Sequence, residues 1–128
     1  MQYIQGISRN QLQIGSLEDK INADNSVRFI DAFVGLIDLK KLGFELKILK
    51  KEGRPCFQTE VFLKIYLYGY LNGIRSSRKL EKECIRNIEM QWLLEDIRPN
   101  YHSIADFRKE NPKALKQLFK FFVSFLKD

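Results

Sequence analysis

The fold of this chain is decided by the stretch Leu67-Tyr68-Gly69-Tyr70-Leu71-Asn72-Gly73-Ile74-Arg75-Ser76-Ser77-Arg78-Lys79-Leu80-Glu81. An apolar helical run in it ends at Gly73, and a second helix begins behind Ser76 and Ser77. The pattern predicts a helix, a tight turn and a second helix. Cations open the second helix at a protruding corner, which suits binding to a polyanion such as double-stranded DNA.

The second helix of the pair, from about 77 to 86, carries two opposed rows of side chains. The apolar row predicts the packed face and consists of Leu80, Cys84 and Ile88. The basic row lies roughly 200° away around the helix and consists of Arg78, Lys82 and Arg86. A recognition helix requires this opposition, because one row docks the helix and the other faces a DNA groove. The predicted DNA contacts are Arg75, Ser76, Ser77, Arg78, Lys79, Lys82 and Arg86.

The positive charge is concentrated in the middle of the chain, whose formal net charge is +6 at pH 7. Residues 47–86 hold ten Lys or Arg against four Asp or Glu, whereas the segments on either side are nearly balanced. The predicted turn lies inside this basic segment, as an electrostatic footprint for phosphate would. The alternative is a solvated basic face, on whose flanks Glu81 and Glu83 dilute the field.

The rest of the sequence predicts an all-α, compact multi-helix domain, because apolar residues recur at three- and four-residue spacing. The first helix runs from about Asn25, its N-cap, to residue 37, and a short helix follows until Gly43 stops it. Residues 47–58 form a basic connection. A helix that starts near Thr59 is apolar on nearly every side and is predicted to be the central buried element.

Two further helix starts follow the basic helix. Residues 88–95 predict a short helix with Trp92 in the core, and it ends before Arg98 and Pro99. The sequence from Ser103 to Asp106 fits a capping box, in which each side chain bonds the backbone amide of the other residue. Tyrosines at 66, 68 and 70 are interpreted as core residues whose hydroxyls reach the rim, although stacking on bases is the alternative.

The final helix, from about 112 to 127, has an apolar arc wider than one packing face needs. Either this helix is wedged between two layers, or part of its apolar surface binds another protein. Phe121 and Phe125 are the residues expected to remain exposed. A homodimer through the C-terminal helix is the predicted consequence.

No catalytic, metal or cofactor site is predicted. Cys56 and Cys84 are too few for a disulfide framework, and we interpret both as buried, inert thiols. His102 has no partner at ligand spacing, and Asp106 is interpreted as a cap rather than a ligand. Arg108 and Lys109 either touch phosphate or pair with nearby acidic residues.

The chain is predicted to be one domain, residues 1–128, of which 1–15 form a more loosely ordered arm. No apolar stretch approaches the roughly 20 residues of a transmembrane helix, and the N-terminus lacks the features of a signal peptide. We therefore expect no membrane association and a cytoplasmic, nucleoid-associated protein.

Four blocks of the sequence resemble the InsH-type N-terminal domain of bacterial insertion-sequence transposases. Together they cover most of the chain, from about Ser16 onward. Two small departures are Asn100, where the family usually has aspartate, and Ser103, where threonine is common. The blocks are 27–34, 67–73, 75–81 and 104–109.

The resemblance implies a helical region that engages transposon-end DNA. In that family, catalysis belongs to a following RNase H-like domain, whose three carboxylates (the DDE triad) bind two metal ions. We therefore expect this chain by itself not to be an enzyme, and the catalytic domain to be one of its partners. The residues agree, because no motif in the sequence can be assigned as such a triad.

Two other functions compete with DNA binding. The domain could be an oligomerisation or docking module of the transposase, with its basic residues merely solvated. It could also be a free-standing repressor, which would need a dimer interface of its own. Salt-dependent binding to DNA separates the first alternative from the predicted function.

Overall fold

The computed structural model describes residues 2–44 and 57–127, which form seven α-helices, one short 3-10 helix and no strand. This confirms the all-α prediction. The predicted basic connection falls almost entirely outside the described residues, as does Cys56. The 3-10 helix is Glu18–Lys20, and the α-helices are α1 (Ser26–Leu36), α2 (Leu39–Leu42), α3 (Thr59–Asn72), α4 (Ser77–Arg86), α5 (Ile88–Leu93), α6 (Tyr101–Glu110) and α7 (Pro112–Leu126).

Helix α3 is the central element, as predicted. Eight of its 14 residues are buried, and α1 and α5 pack against it. Phe107 of α6 stacks on Phe62, with 4.8 Å between the ring centroids, and the Tyr66 hydroxyl donates to the backbone oxygen of Ile104. The buried residues are Val61, Phe62, Leu63, Ile65, Tyr66, Leu67, Tyr68 and Gly69.

A polar network ties α3 to α1 and α5 at its centre. The Tyr68 hydroxyl donates to Oε1 of Glu89 over 2.8 Å, and the Asn25 amide donates to Oε2 of the same carboxylate over 2.8 Å. Burial is the main reason that the pKa of Tyr68 rises to about 12. Tyr66 and Tyr68 are therefore core residues with bonded hydroxyls, as predicted, whereas Tyr70 is 51% exposed.

The predicted ends of the first two helices are confirmed. The Asn25 side chain accepts from the Val27 amide over 2.9 Å and caps α1. The Asp38 side chain caps α2, and Gly43 ends that helix with a φ of 98°, a conformation that favours glycine.

The predicted capping box at Ser103 and Asp106 is wrong. Helix α6 begins earlier, and its N-cap is Asn100, whose side chain accepts from the Ser103 amide over 2.9 Å. The first amide of the helix, that of Tyr101, donates to the Glu81 carboxylate over 2.9 Å. Because a residue of α4 supplies this acceptor, the helix can begin before the local capping signal.

The apolar row of α4 is also shorter than predicted. Leu80 and Cys84 are buried, but Ile88 is 37% exposed. Asn87 separates the two helices, since it ends α4 and its side chain caps α5 by accepting from the Glu89 amide over 2.8 Å. Ile88 therefore begins a new helix and does not continue the face of α4.

Trp92 lies at the edge of the core, half-buried. Its indole nitrogen donates to Glu18 over 2.9 Å, and the Arg28 guanidinium lies 5.0 Å from the ring centroid. These contacts hold the 3-10 helix against α1 and α5. Residues 2–15 contain no helix or strand and are exposed, and their looser order stays a prediction.

The stability of the fold should depend on the absence of a side chain at Gly69. A Cβ atom there would lie 2.5 Å from the Ile74 backbone oxygen and 3.1 Å from Cδ2 of Leu80. We expect Gly69→Ala to lower the free energy of unfolding by roughly 1–3 kcal/mol, as overpacking does, measured by urea denaturation.

Gly35→Ala is the matched control. Gly35 lies inside α1, and its Cβ would have no neighbour within 4 Å. This change should raise the free energy of unfolding by up to about 1 kcal/mol, because alanine is the better helix former. Equal stability of the Gly69 variant and the parent would contradict the close approach described above.

Candidate nucleic-acid interface

The turn between α3 and α4 reverses the chain over a few residues. Gly73 ends α3 with a φ of 69°, and the Ile74 amide donates to the Gly69 backbone oxygen over 2.8 Å. Ile74 is half-buried, and Arg75 is exposed. The glycine conformation therefore turns one apolar side chain inward and the next, cationic one outward.

Helix α4 starts at this turn. Ser76 is its N-cap, and the Ser76 hydroxyl accepts from the Lys79 amide over 3.4 Å. Ser77 is the first helical residue and is half-buried. The structure thus gives Ser76 a capping role, and contact of either serine with DNA stays a prediction. The positive end of the helix dipole lies at the same corner as the cations that open the helix.

The two faces of α4 have opposite surroundings. Leu80 and Cys84 are 0% and 1% exposed. The five cations predicted to contact DNA are all exposed, and we call them the basic corner: Arg75, Arg78, Lys79, Lys82 and Arg86. The helix packs through its apolar side on α5 and α6. The order of helix, turn and helix is as predicted, while its use as a DNA-binding unit stays a prediction.

Both acidic residues of α4 have partners of their own. The Glu81 carboxylate accepts from the Tyr101 amide. Glu83 accepts from the Asn87 side chain over 2.8 Å and from Arg86 over 2.7 Å. The hydrogen bond from Asn87, followed by that from Arg86, lowers the pKa of Glu83. The Glu83–Arg86 pair therefore cancels one charge of each sign at the corner, and the Glu81 carboxylate is bound by α6.

The cations differ in how firmly they are held. The Arg78 guanidinium lies 4.4 Å from the Tyr101 ring centroid, and Arg86 forms the ion pair with Glu83. Within residues 2–44 and 57–127, the side chains of Arg75, Lys79 and Lys82 make no hydrogen bond or ion pair. Three cations are thus available to an added anion at no cost in existing bonds.

Arg108 fixes the position of the turn. Its Nη2 atom donates to the Arg75 backbone oxygen over 2.8 Å, and its guanidinium lies 5.1 Å from the Tyr66 ring centroid. Sequence reasoning missed this role because the two partners are 33 residues apart. The contacts of Tyr101 were missed for the same reason, since no local pattern connects it to Arg78 or Glu81.

Within residues 2–44 and 57–127, no group of three or more His, Cys, Asp or Glu could hold a metal ion. Burial is the main cause that raises the pKa of the Cys84 thiol to about 12, which keeps it protonated and unreactive. His102 is exposed and lies 4.1 Å from the Tyr101 ring, measured between centroids. Asp106 is exposed on α6.

No helix in the part of the chain that the structure describes has the length and hydrophobicity to cross a membrane. No curated protein and no solved structure matches the chain. A family model, the transposase domain DUF772, matches residues 15–110. The match covers most of the chain and includes α1 to α6 with the turn and the whole basic corner. The chain belongs to this family of transposase domains.

Proposed function

We propose that this transposase domain binds double-stranded DNA at transposon ends through the basic corner. The observation that carries the proposal is the division of α4, whose apolar row is buried while its basic row is exposed. A helix anchored in this way presents its cations as a rigid unit. When such a helix binds DNA, it loses less conformational entropy than a mobile basic segment would lose on binding.

The electrostatics of the corner support phosphate as the ligand. Arg75, Lys79 and Lys82 have no competing ion pair in the described chain, and the N-terminus of α4 adds its dipole. Arg78 and Tyr101 together offer a guanidinium on an aromatic ring, which limits the rotamers of the cation. We propose that the cations Arg75, Arg78, Lys79 and Lys82 contact phosphates. A protein bound to DNA in this way would be associated with the nucleoid in the cytoplasm.

A second candidate function is an interaction surface, and exposed apolar side chains favour it. Phe121, Phe125 and Leu126 are 47%, 45% and 46% exposed on α7, and Leu36 at the end of α1 is 82% exposed. Leu36, Phe121 and Phe125 border a groove of about 410 Å³ between α1, α2 and α7. We call this the apolar groove, and it is lined by Phe33, Leu36, Ile37, Asp38, Lys41, Leu42, Phe121 and Phe125.

A second copy of the chain suits this groove. Asp38 and Lys41 lie on its lining, so a two-fold arrangement could place the acid of each copy near the base of the other. We propose a homodimer through α7 and this groove. The catalytic domain of the transposase is the competing occupant.

DNA binding should weaken steeply as salt is added. Labelled duplex from the ends of the parent transposon should bind the chain, and affinity should fall between about 50 and about 200 mM salt because counterions are released. Replacing Arg78, Lys82 and Arg86 together with alanine should weaken binding and reduce the slope of log K against log salt by roughly 0.9 per lost phosphate contact.

The matched control replaces Arg9, Lys20 and Lys40 with alanine, three exposed cations outside both the basic corner and the apolar groove. It removes the same net charge from outside α4 and should leave most of the affinity intact. Equal losses in both triple variants would show that net charge alone attracts DNA. Undetectable binding at low salt would favour the interaction module.

The purified chain should neither nick nor join DNA when Mg²⁺ or Mn²⁺ is supplied. Cleavage of this kind needs carboxylates that position metal ions and the attacking water, and we propose that the catalytic domain provides them. Gel analysis of supercoiled plasmid containing transposon ends measures this. Reproducible cleavage that disappears in Asp106→Ala would overturn the proposal that the catalytic carboxylates lie in the catalytic domain.

Self-association should depend on the exposed phenylalanines of α7. Fully burying an exposed phenylalanine stabilises a contact by roughly 1.5–3 kcal/mol. About half of that remains to be gained here, because the two rings are 47% and 45% exposed, so sedimentation velocity should show a dimer at high concentration. Phe121→Ser with Phe125→Ser should shift it to monomer. Lys120→Ser with Ser124→Ala on the same helix is the control, and a parent chain that stays monomeric at every concentration would rule the dimer out.

A further inference from the structure

A cleft of about 500 Å³ opens beside the turn. We call it the turn cleft. Its walls come from the C-terminal half of α3, the turn itself, the end of α6 and the first turns of α7. The residues that line it are Tyr66, Gly69, Tyr70, Gly73, Ile74, Arg75, Arg108, Pro112, Leu115, Lys116 and Phe119.

Every charged residue that lines the turn cleft is positive. Arg75, Arg108 and Lys116 are exposed, and the lining contains no Asp or Glu. The side chains of Arg75 and Lys116 make no hydrogen bond or ion pair within the described chain. The Arg108 guanidinium donates one hydrogen bond to the Arg75 backbone oxygen and has further N–H groups that can donate to a ligand. The cleft therefore favours an anionic ligand.

The wall of the turn cleft is aromatic. Tyr70 and Phe119 pack against each other with their rings tilted by 32° and 5.5 Å between the ring centroids, and Tyr70 is 51% exposed although it stands on the central helix. Accessible aromatic rings next to cations are the combination that single-stranded nucleic acid uses, with bases stacked on the rings and phosphates on the cations. The volume of the cleft lies within the range of roughly 300 to 1,000 Å³ that is typical of small-ligand pockets.

We propose that the turn cleft binds an unpaired nucleotide of single-stranded DNA that continues from the duplex on the basic corner. The base stacks on the exposed side of the Tyr70 ring, next to Phe119, and its flanking phosphates contact Arg75 and Lys116. Arg75 belongs to both the basic corner and the turn cleft. A DNA strand that passes from the corner into the cleft therefore stays close to cations. This inference rests on the proposed function for its duplex part only.

The charge and position of the cleft favour a nucleotide over a protein segment. An apolar peptide would leave the three cations without partners, and an acidic one would have to compete with DNA at Arg75. A nucleotide satisfies both the rings and the cations from one chemical unit. Binding of a peptide is therefore kept as an outcome of the test.

The test compares three labelled DNAs on the whole chain by fluorescence anisotropy. They are a blunt duplex, the same duplex with a three-nucleotide single-stranded extension, and an unstructured single-stranded oligonucleotide. The extended duplex should bind about ten-fold more tightly than the blunt duplex, since stacking one base on an aromatic ring gives a factor of this order. Tyr70→Leu should remove this preference and leave blunt-duplex affinity unchanged.

Matched variants separate stacking and charge from general effects. Tyr70→Phe keeps the ring and should keep the preference, which assigns the effect to the ring and not to the hydroxyl. Lys116→Ala should reduce the preference, whereas Lys120→Ala, on the same helix but outside the cleft, should not. Thermal unfolding of each variant checks that the fold is retained.

The outcomes distinguish this inference from the proposed function. If the blunt and the extended duplex bind with equal affinity, and Tyr70→Leu changes neither affinity, the proposal that the cleft binds a nucleotide is overturned. Duplex binding through the basic corner is then unaffected. Binding of the single-stranded oligonucleotide through Tyr70 and Lys116, without duplex binding, supports the cleft and overturns the proposed function. If no DNA binds at low salt, both the cleft proposal and the duplex-binding proposal are overturned. The same holds if the NMR signals of the Tyr70 and Phe119 rings shift with an acidic peptide but not with DNA.

Discussion

The burial of α3 is the constraint on which the rest of the structure depends. This helix has no polar face along most of its length, and eight of its residues are buried. A helix of this kind is stable only if other elements cover every side of it. Helices α1 and α5 supply two sides, while Phe107 of α6 stacks over the Phe62 ring. Each fully buried large side chain stabilises the fold by roughly 1.5–3 kcal/mol, so apolar burial, rather than surface ion pairs, holds the domain together.

The basic corner is positioned by a few directional bonds added to this apolar packing. Gly69 lets the turn close onto α3, Arg108 holds the Arg75 oxygen, and Glu81 holds the first amide of α6. The first of these hydrogen bonds is exposed and the second is partly buried, and each contributes only about 1 kcal/mol of net stability. Their effect is orientation, because they connect α4, α6 and the turn into one unit. A change at Arg108 should therefore disturb the geometry of the corner more than the stability of the fold.

Helix α7 connects the surfaces for which we propose functions. Lys116 and Phe119 line the turn cleft, whereas Phe121 and Phe125 line the apolar groove. Residues 119 and 121 are separated by roughly 200° around a helix, so the two surfaces lie on different sides of α7. A nucleic acid and a protein partner could then occupy the domain together. The wide apolar arc is thus divided among three neighbours: the core through the buried Leu118 and Phe122, the cleft and the groove.

The sequence by itself determined the all-α class and the position of most helices, because periodicity, caps such as Asn25 and stops such as Gly43 act over one or two turns of chain. It also determined that Arg78, Lys82 and Arg86 oppose Leu80 and Cys84, since helix geometry alone fixes that relation. The tertiary structure decided where α6 begins, because Glu81 accepts its first amide across 20 residues. It also decided that Ile88 leaves the apolar row, that Tyr70 stays accessible, and that Arg75, Arg108 and Lys116 line one cleft. These outcomes depend on contacts between residues far apart in the chain, and no local pattern encodes which distant helix will supply the partner.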